Sequence, residues 1–317
     1  MGKRIKRAIE SDETYLKGAF QDFIEAKTAN NLAEATLQNY ETTFSIFWND
    51  NGFTDETTCS EISEKTVYKW INHMKNKELS VQSINHYLRD TRTFLNWCME
   101  REYIEPFKIK LLAAQDEGVK FFTEEELEAL IAKPPRKDDY VEWRTWCIVN
   151  VILATGARAQ TICDMRIEDI NFSTKEITYQ HTKNKKAQKV PLSQSCETVL
   201  KEFMRMYRPH ATGWLFPNYM DEKLTRNALR LSFERYCKER EVSHCNIHGL
   251  RHSFSRGWIL NNGNTLALKN VLGHSSTAMT SRYVKLFGQD LKEGYENFSV
   301  LDQMKKNKSR KKKIDKI

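Results

Sequence analysis

The 317-residue sequence predicts a mainly α protein, with a small helical domain followed by a larger, mostly helical domain that carries a small antiparallel sheet. Three observations predict it. Between about Thr14 and Glu102 the apolar residues recur at helical spacing in four segments. A stretch from Tyr103 to Lys120, holding Pro106 and little periodicity of its own, reads as a linker to a second helical region. In that second region one pair of β-rich runs flanks a polar connection. The length suits two domains of ordinary size, and 40% hydrophobic residues is enough to give each a core without disulfide or metal staples.

In chain order, Leu16, Phe20, Phe23 and Ala26 mark the first helix, and Leu37, Tyr40, Phe44 and Phe47 the second. Asn51-Gly52 breaks the chain after it. Val67, Trp70, Ile71 and Met74 mark the third helix, and Ile84, Tyr87, Thr91, Phe94 and Cys98 the fourth, with Ser63 and Ser80 standing where N-caps belong. Thr123 followed by Glu126 is a capping-box signature that opens the second domain, and Pro134-Pro135 closes that helix. Residues 139–154 form a strongly apolar helix that Gly156 stops. The runs Glu176 to Gln180 and Lys189 to Ser193 read as a β-hairpin with Lys183 near its turn. Helices are expected at about 195–207, 225–240, 247–261, 265–272, 276–287 and 289–299.

The net charge of +8 is unevenly placed. Residues 1–7 carry +4, residues 8–118 carry 11 bases against 19 acids, residues 119–304 carry 27 against 22, and residues 305–317 carry 8 against 1. An acidic amino-terminal region can bind nucleic acid only through local basic faces of its helices. The last segment, from Lys305, is too charged to bury anything and is expected to be a disordered basic tail. The seven cysteines are scattered and never spaced as CxxC, which favours free thiols in a reducing cytoplasm. His244, Cys245 and His248 lie close together, but no second ligand pair follows at zinc-finger spacing. The basic start has no apolar segment behind it and no run approaches membrane-spanning length, so a soluble, cytoplasmic protein with no membrane contact is expected.

The chemistry concentrates in an ordered set of polar residues: Arg158 in TGAR, Lys183 in TKNKK, His248 and Arg251 in HGLRH, His274 in LGH and Tyr283 in SRYVK. The i, i+3 spacing of His248 and Arg251 lets both side chains reach one ligand. Gly156 allows a sharp turn that projects Arg158 from the end of a buried helix. Arginine suits a phosphate because its planar fork donates two hydrogen bonds and keeps its charge. A phenolic nucleophile with cationic and imidazole groups around it is what phosphodiester cleavage needs, with no metal, nucleotide or other cofactor. His252 is read as structural, pointing a different way around the helix. Lys185, Lys186 and Lys189 are read as phosphate contacts rather than a solvated turn.

With those pieces in that order, the chain resembles the tyrosine recombinases, the family of phage integrases and Xer-type resolvases. The likeness covers nearly the whole chain. It implies a helical, SAM-like core-binding domain over residues 1–110, a linker over 111–120, a catalytic domain over 121–304 and the tail over 305–317. It also implies that Arg158 and Arg251 clamp the scissile phosphate while His274 donates a further hydrogen bond. In the same scheme His248 helps deprotonate Tyr283, and Lys183 protonates the leaving 5′ oxygen. The partners implied are double-stranded DNA recombination sites, held as a clamp by each subunit, and three further copies of the chain in a tetramer on synapsed DNA. Accessory DNA-bending proteins and a place on the nucleoid belong to the same picture. Integration or excision of a mobile element or prophage ranks ahead of chromosome-dimer resolution.

One position departs from the family. Where the first arginine box usually has an acidic residue three positions on, this chain has Thr161, and Asp164, Glu168 or Asp169 are the candidates to substitute. That departure keeps a catalytically inactive DNA-binding regulator open as an alternative. A type IB topoisomerase or hairpin telomere resolvase, with a similar residue set, is the other.

Overall fold

The computed structural model describes residues 14–113, 121–180, 187–274, 276, 280 and 281. The chain divides into two compact units, residues 1–117 and 118–317.

In the first unit α1 (Leu16–Ala29), α2 (Glu34–Asn51), α3 (Glu64–Asn76) and α4 (Val81–Glu100) follow the four predicted segments. Ser80 caps α4 by accepting from the Ser83 amide, and Gly52 ends α2 in the left-handed region at φ 67°. The four apolar stripes meet in an aromatic core. Phe20 stacks on Phe44 with ring centroids 3.8 Å apart, and Phe94 presents its ring edge-on to both. Trp70 is fully buried and its Nε1 donates to Asp50 at 3.0 Å. A short 3-10 turn at Cys59–Glu61, capped by Thr58, lies between α2 and α3 and had no signature in the apolar pattern.

The reading of Tyr103 onward as linker needs correction. Ile104 and Ile109 are buried in the same core, and Asn85 exchanges two hydrogen bonds with the Leu112 backbone at 2.8 and 2.9 Å. A segment without periodicity can still pack when single apolar side chains and one buried amide anchor it.

The second unit contains α5 (Glu124–Ile131), α6 (Tyr140–Thr155), α7 (Ala159–Asp164), α8 (Gln194–Tyr207), α9 (Arg226–Glu239), α10 (Ile247–Leu260) and α11 (Thr265–Leu272). Both halves of the Thr123/Glu126 capping box are made, and α5 ends before Pro134. Helix α6 is apolar all round because it is central: α8, α9 and α10 pack on it, and Trp143, Cys147, Ile148, Val149 and Ile152 are buried. The sheet has three strands rather than a hairpin's two, β1 (Ile170–Asn171), β2 (Glu176–Tyr179) and β3 (Gln188–Pro191), all antiparallel in that order. A two-residue strand is too short to show alternation.

Lys183, Lys185 and Lys186, Tyr283, the basic start and the basic tail lie outside the described residues, as do most of the helices expected at 276–287 and 289–299. All seven cysteines are thiols, six of them buried. No described helix is long and apolar enough to cross a membrane.

Candidate active site

The site begins where α6 ends. Gly156 caps that helix at φ 66°, and a Cβ there would lie 2.5 Å from Phe254 Cδ1 and 2.7 Å from Leu272 Cδ2. Only glycine fits both the conformation and the space. Two residues on, Arg158 is the N-cap of α7, so it leaves the buried helix at a corner. That six-residue helix was not foreseen, since it is too short to show a helical period.

Arg251 is 3% exposed on α10. Its Nη1 donates to the Gly156 carbonyl at 2.6 Å, and its Nη2 donates to the Leu272 carbonyl at 2.9 Å and faces His274 Nε2 at 3.0 Å. Arg158 Nη2 reaches the Gly273 carbonyl at 3.5 Å, a long contact. Both guanidinium groups therefore converge on the end of α11, on the Leu272 and Gly273 carbonyls that lie beyond those bonded by the helix's own cap and at the negative end of its dipole. Gly273 turns the chain there at φ 61° and delivers His274.

Burial, then the charges of Arg251, Arg158 and His248, hold His274 down to about 4. His248, whose amide donates to the Asn246 cap, is likewise lowered by burial and then by Arg251 and Arg158. Both rings are neutral near pH 7. An arginine can only donate, so His274 Nε2 accepts from Arg251 and the ring proton sits on Nδ1, which donates to Thr280 Oγ1 at 2.9 Å. Thr280 is 1% exposed.

His252 does not point away as expected. Its ring meets that of His248 edge-on at 4.7 Å between centroids, because residues four apart share a helix face. It also meets Phe121 edge-on at 6.3 Å.

Thr161 is half-buried, and the three nearby carboxylates hold other partners. Asp164 accepts from Gln160 and pairs with Lys223, Glu168 pairs with Arg166, and Asp169 accepts from the Arg166 amide and from Gln180 Nε2. Backbone carbonyls, not one of these acids, receive the two terminal nitrogens of Arg251.

Of the hairpin lysines only Lys189 is described, and it is exposed and paired with Glu176 across the strands at 3.2 Å. A surface pair of this kind is worth little and leaves the amine available to a phosphate. The residue that the sequence did not reveal is its neighbour Gln188. Its Nε2 donates to the carbonyls of Asn270 at 2.6 Å and Val271 at 2.7 Å. A glutamine in a β-rich run carries no signal of such a contact. Among the described residues no three His, Cys, Asp or Glu side chains gather as metal ligands; His244 instead stacks on Phe122 with centroids 4.2 Å apart.

A helical domain is followed by a mostly helical one in which two arginines and two histidines gather around the end of α11. The sequence profile of the phage integrase family matches residues 120–289, more than half of the chain, and that of the phage integrase N-terminal SAM-like domain matches residues 20–105. The chain belongs to the phage integrase family and is a tyrosine-type site-specific DNA recombinase. It is 26% identical over 282 residues to tyrosine recombinase XerC of Staphylococcus aureus strains bovine RF122 / ET3-1 and USA300, covering 86% of this chain and 92% of those proteins. Its fold is shared with the Tn1549 transposon integrase in complex with transposon right end DNA, at TM-score 0.72 and 19% identity over 85% of this chain and 94% of that one. It is shared too with a lambda integrase dimer bound to a COC′ core site, at TM-score 0.69 and 16% identity over 89% and 81%.

Proposed function

We propose that the cluster of Arg158, His248, Arg251 and His274 holds one scissile phosphate of a duplex recombination site for attack by Tyr283. The observation that carries this reading is the buried Arg251 guanidinium set between two carbonyls and a neutral His274. Such a group is preorganised to meet the charge that develops on a phosphate in the transition state. Arg158 and Arg251 take the non-bridging oxygens. To donate to the phosphate, His274 shifts its proton from Nδ1 to Nε2 and exchanges its Arg251 contact for a phosphate oxygen, while the two carbonyl bonds hold Arg251 in place. The Thr280 hydroxyl serves either tautomer, accepting in one and donating in the other.

Neutral His248 is in the correct form to take the phenolic proton of Tyr283, whose reference pKa is about 10. The phenolate oxygen bonds to phosphorus, the bond from phosphorus to the 5′ oxygen breaks, and Lys183 gives that oxygen its proton. A 3′-phosphotyrosyl linkage and a free 5′-hydroxyl result. Attack by a partner strand's 5′-hydroxyl reverses the step, so exchange through a Holliday junction needs no external energy source.

Duplex recombination sites, a tetramer on two of them, accessory bending proteins, a cytoplasmic place on the nucleoid and movement of a mobile element are the partners and context of this reading. Solved relatives bound to transposon and phage core-site DNA support it. The DNA flanking the coding sequence supplies candidate sites. A plasmid bearing two such sites is expected to recombine, and a supercoiled plasmid without any is expected to stay supercoiled. Relaxation of the site-free plasmid would instead assign a topoisomerase, and binding without any strand cleavage would assign a regulator.

A further inference from the structure

We infer that Gln188 is a positioning residue for the leaving-group proton, because its side chain ties the hairpin to the helix end around which the arginine pair is arranged. The inference rests on the recombinase reading above and on the hairpin's supply of the general acid.

Four consecutive carbonyls at the end of α11 are taken in order. Asn270 and Val271 accept from Gln188, Leu272 from Arg251, and Gly273 from Arg158. One strand residue and both clamp arginines thus share a single turn. The Gln188 Oε1 also lies 2.6 Å from where a Cβ on Gly273 would be, so the amide is packed against that turn as well as bonded to it.

Gln188 is the first residue of β3 and pairs with Tyr179, the last of β2. Its neighbour across the hairpin, Gln180, donates to the buried Asp169 at 2.9 Å. The connection that holds Lys183 in the sequence is therefore flanked by two amide anchors, and only the Gln188 anchor reaches the arginine turn. A general acid must lie within hydrogen-bond reach of its oxygen, and a misplacement of about 1 Å can cost roughly 100-fold in rate. Anchoring the strand to the turn that organises the phosphate clamp sets that register. The sheet, with Ile177, Tyr179 and Val190 buried, fixes how the two strands pair with each other, and Gln188 fixes where their ends lie against that turn.

The test uses the full chain and nicked suicide substrates carrying either the ordinary 5′ bridging oxygen or sulfur at the scissile position. A thiolate leaves without a proton, so sulfur separates loss of proton delivery from loss of phosphate binding. Gln188→Met keeps the bulk and removes both donated bonds. It is expected to bind site DNA as the parent does, to cleave the oxygen substrate at least roughly tenfold more slowly, and to stay within roughly threefold on the sulfur substrate. Gln188→Leu, which removes the donor without adding a charge beside Arg158, is expected to behave alike and replaces Met if a thermal melt shows that variant unfolded. Equal slowing on both substrates would overturn the inference and leave Gln188 a support of the arginine turn. Lys183→Ala, run in parallel, separates the two layers. Its rescue by sulfur without rescue of Gln188→Met rejects the Gln188 role alone. Failure of both rejects the Lys183 assignment as well. Rescue of Gln188→Met alone keeps the Gln188 role and moves the acid elsewhere on the hairpin.

Discussion

Arg251 Nη2 faces His274 Nε2 at 3.0 Å, and the far nitrogen of the same ring meets Thr280 Oγ1 at 2.9 Å. The arginine, which has no lone pair to offer, fixes the tautomer of the histidine, and the threonine hydroxyl accepts the hydrogen bond from the ring N–H on the far side.

Thr280→Val removes that acceptor and leaves the Nδ1 proton unpaired in a buried place. The expected cost is about 1–3 kcal/mol of stability, with slower DNA cleavage because the tautomer exchange loses its partner. Thr280→Ser keeps the hydroxyl and is expected to restore both. Denaturant melts and single-turnover cleavage check the pair. A valine variant as active as the parent would mean that Thr280 only fills space.

The depressed histidines set the pH dependence. The ordinary value is 6.5, while His274 in the folded chain is lowered to about 4 and His248 is lowered in the same direction. Between the folded and ordinary values the unfolded chain binds more protons, so stability rises with pH there. Full stability from these groups is present above about 6.5 and is lost as pH falls toward 4. Melting temperature against pH should plateau near neutrality and decline on the acid side, and His274→Gln should make the decline shallower. The carboxylates of Asp50 and Glu126 are lowered as well, from 3.8 and 4.5, so their losses run downward from those values and overlap only the acid foot of the histidine window. A melting temperature unchanged down to about pH 5 would contradict the neutral-histidine account.

Gly156→Ala combines two penalties, a left-handed backbone for a residue with a Cβ and a collision with Phe254 and Leu272. Backbone strain costs about 1–2 kcal/mol and overpacking about 1–3 kcal/mol, so a loss of about 2–5 kcal/mol is expected. Gly213→Ala is the internal control, with φ 82° and nothing within 4 Å of the added methyl, and should show the strain alone. Chemical denaturation of both variants gives the comparison. Similar losses would show that Phe254 and Leu272 yield at no cost.

Much of this site was legible from the sequence because its chemistry sits on short local patterns. The glycine before Arg158, the i, i+3 pair of His248 and Arg251, and the Leu272-Gly273-His274 corner are each a few residues long and each requires a particular backbone. The four amino-terminal helices were legible for a different reason, since their apolar stripes must face one core. What escaped was either too short to repeat, as with α7 and β1, or made by contact between distant segments. Gln188 and Asn270 are 82 residues apart, and no spacing rule connects them. The packing of Ile104 and Ile109 was missed because the segment is irregular, although its apolar side chains were in plain view.

The central claim is that Tyr283 is the nucleophile, and identification of the DNA-linked residue tests it most directly. The full chain would be trapped on a nicked suicide substrate, the DNA trimmed with nuclease, and the protein digested with trypsin for mass spectrometry. Cleavage after Arg282 and Lys285 releases a peptide of Tyr283, Val284 and Lys285. The account predicts a nucleotide attached to Tyr283 through its 3′-phosphate, with no adduct in Tyr283→Phe. An adduct on another residue such as Tyr295, or one that survives in Tyr283→Phe, would contradict it.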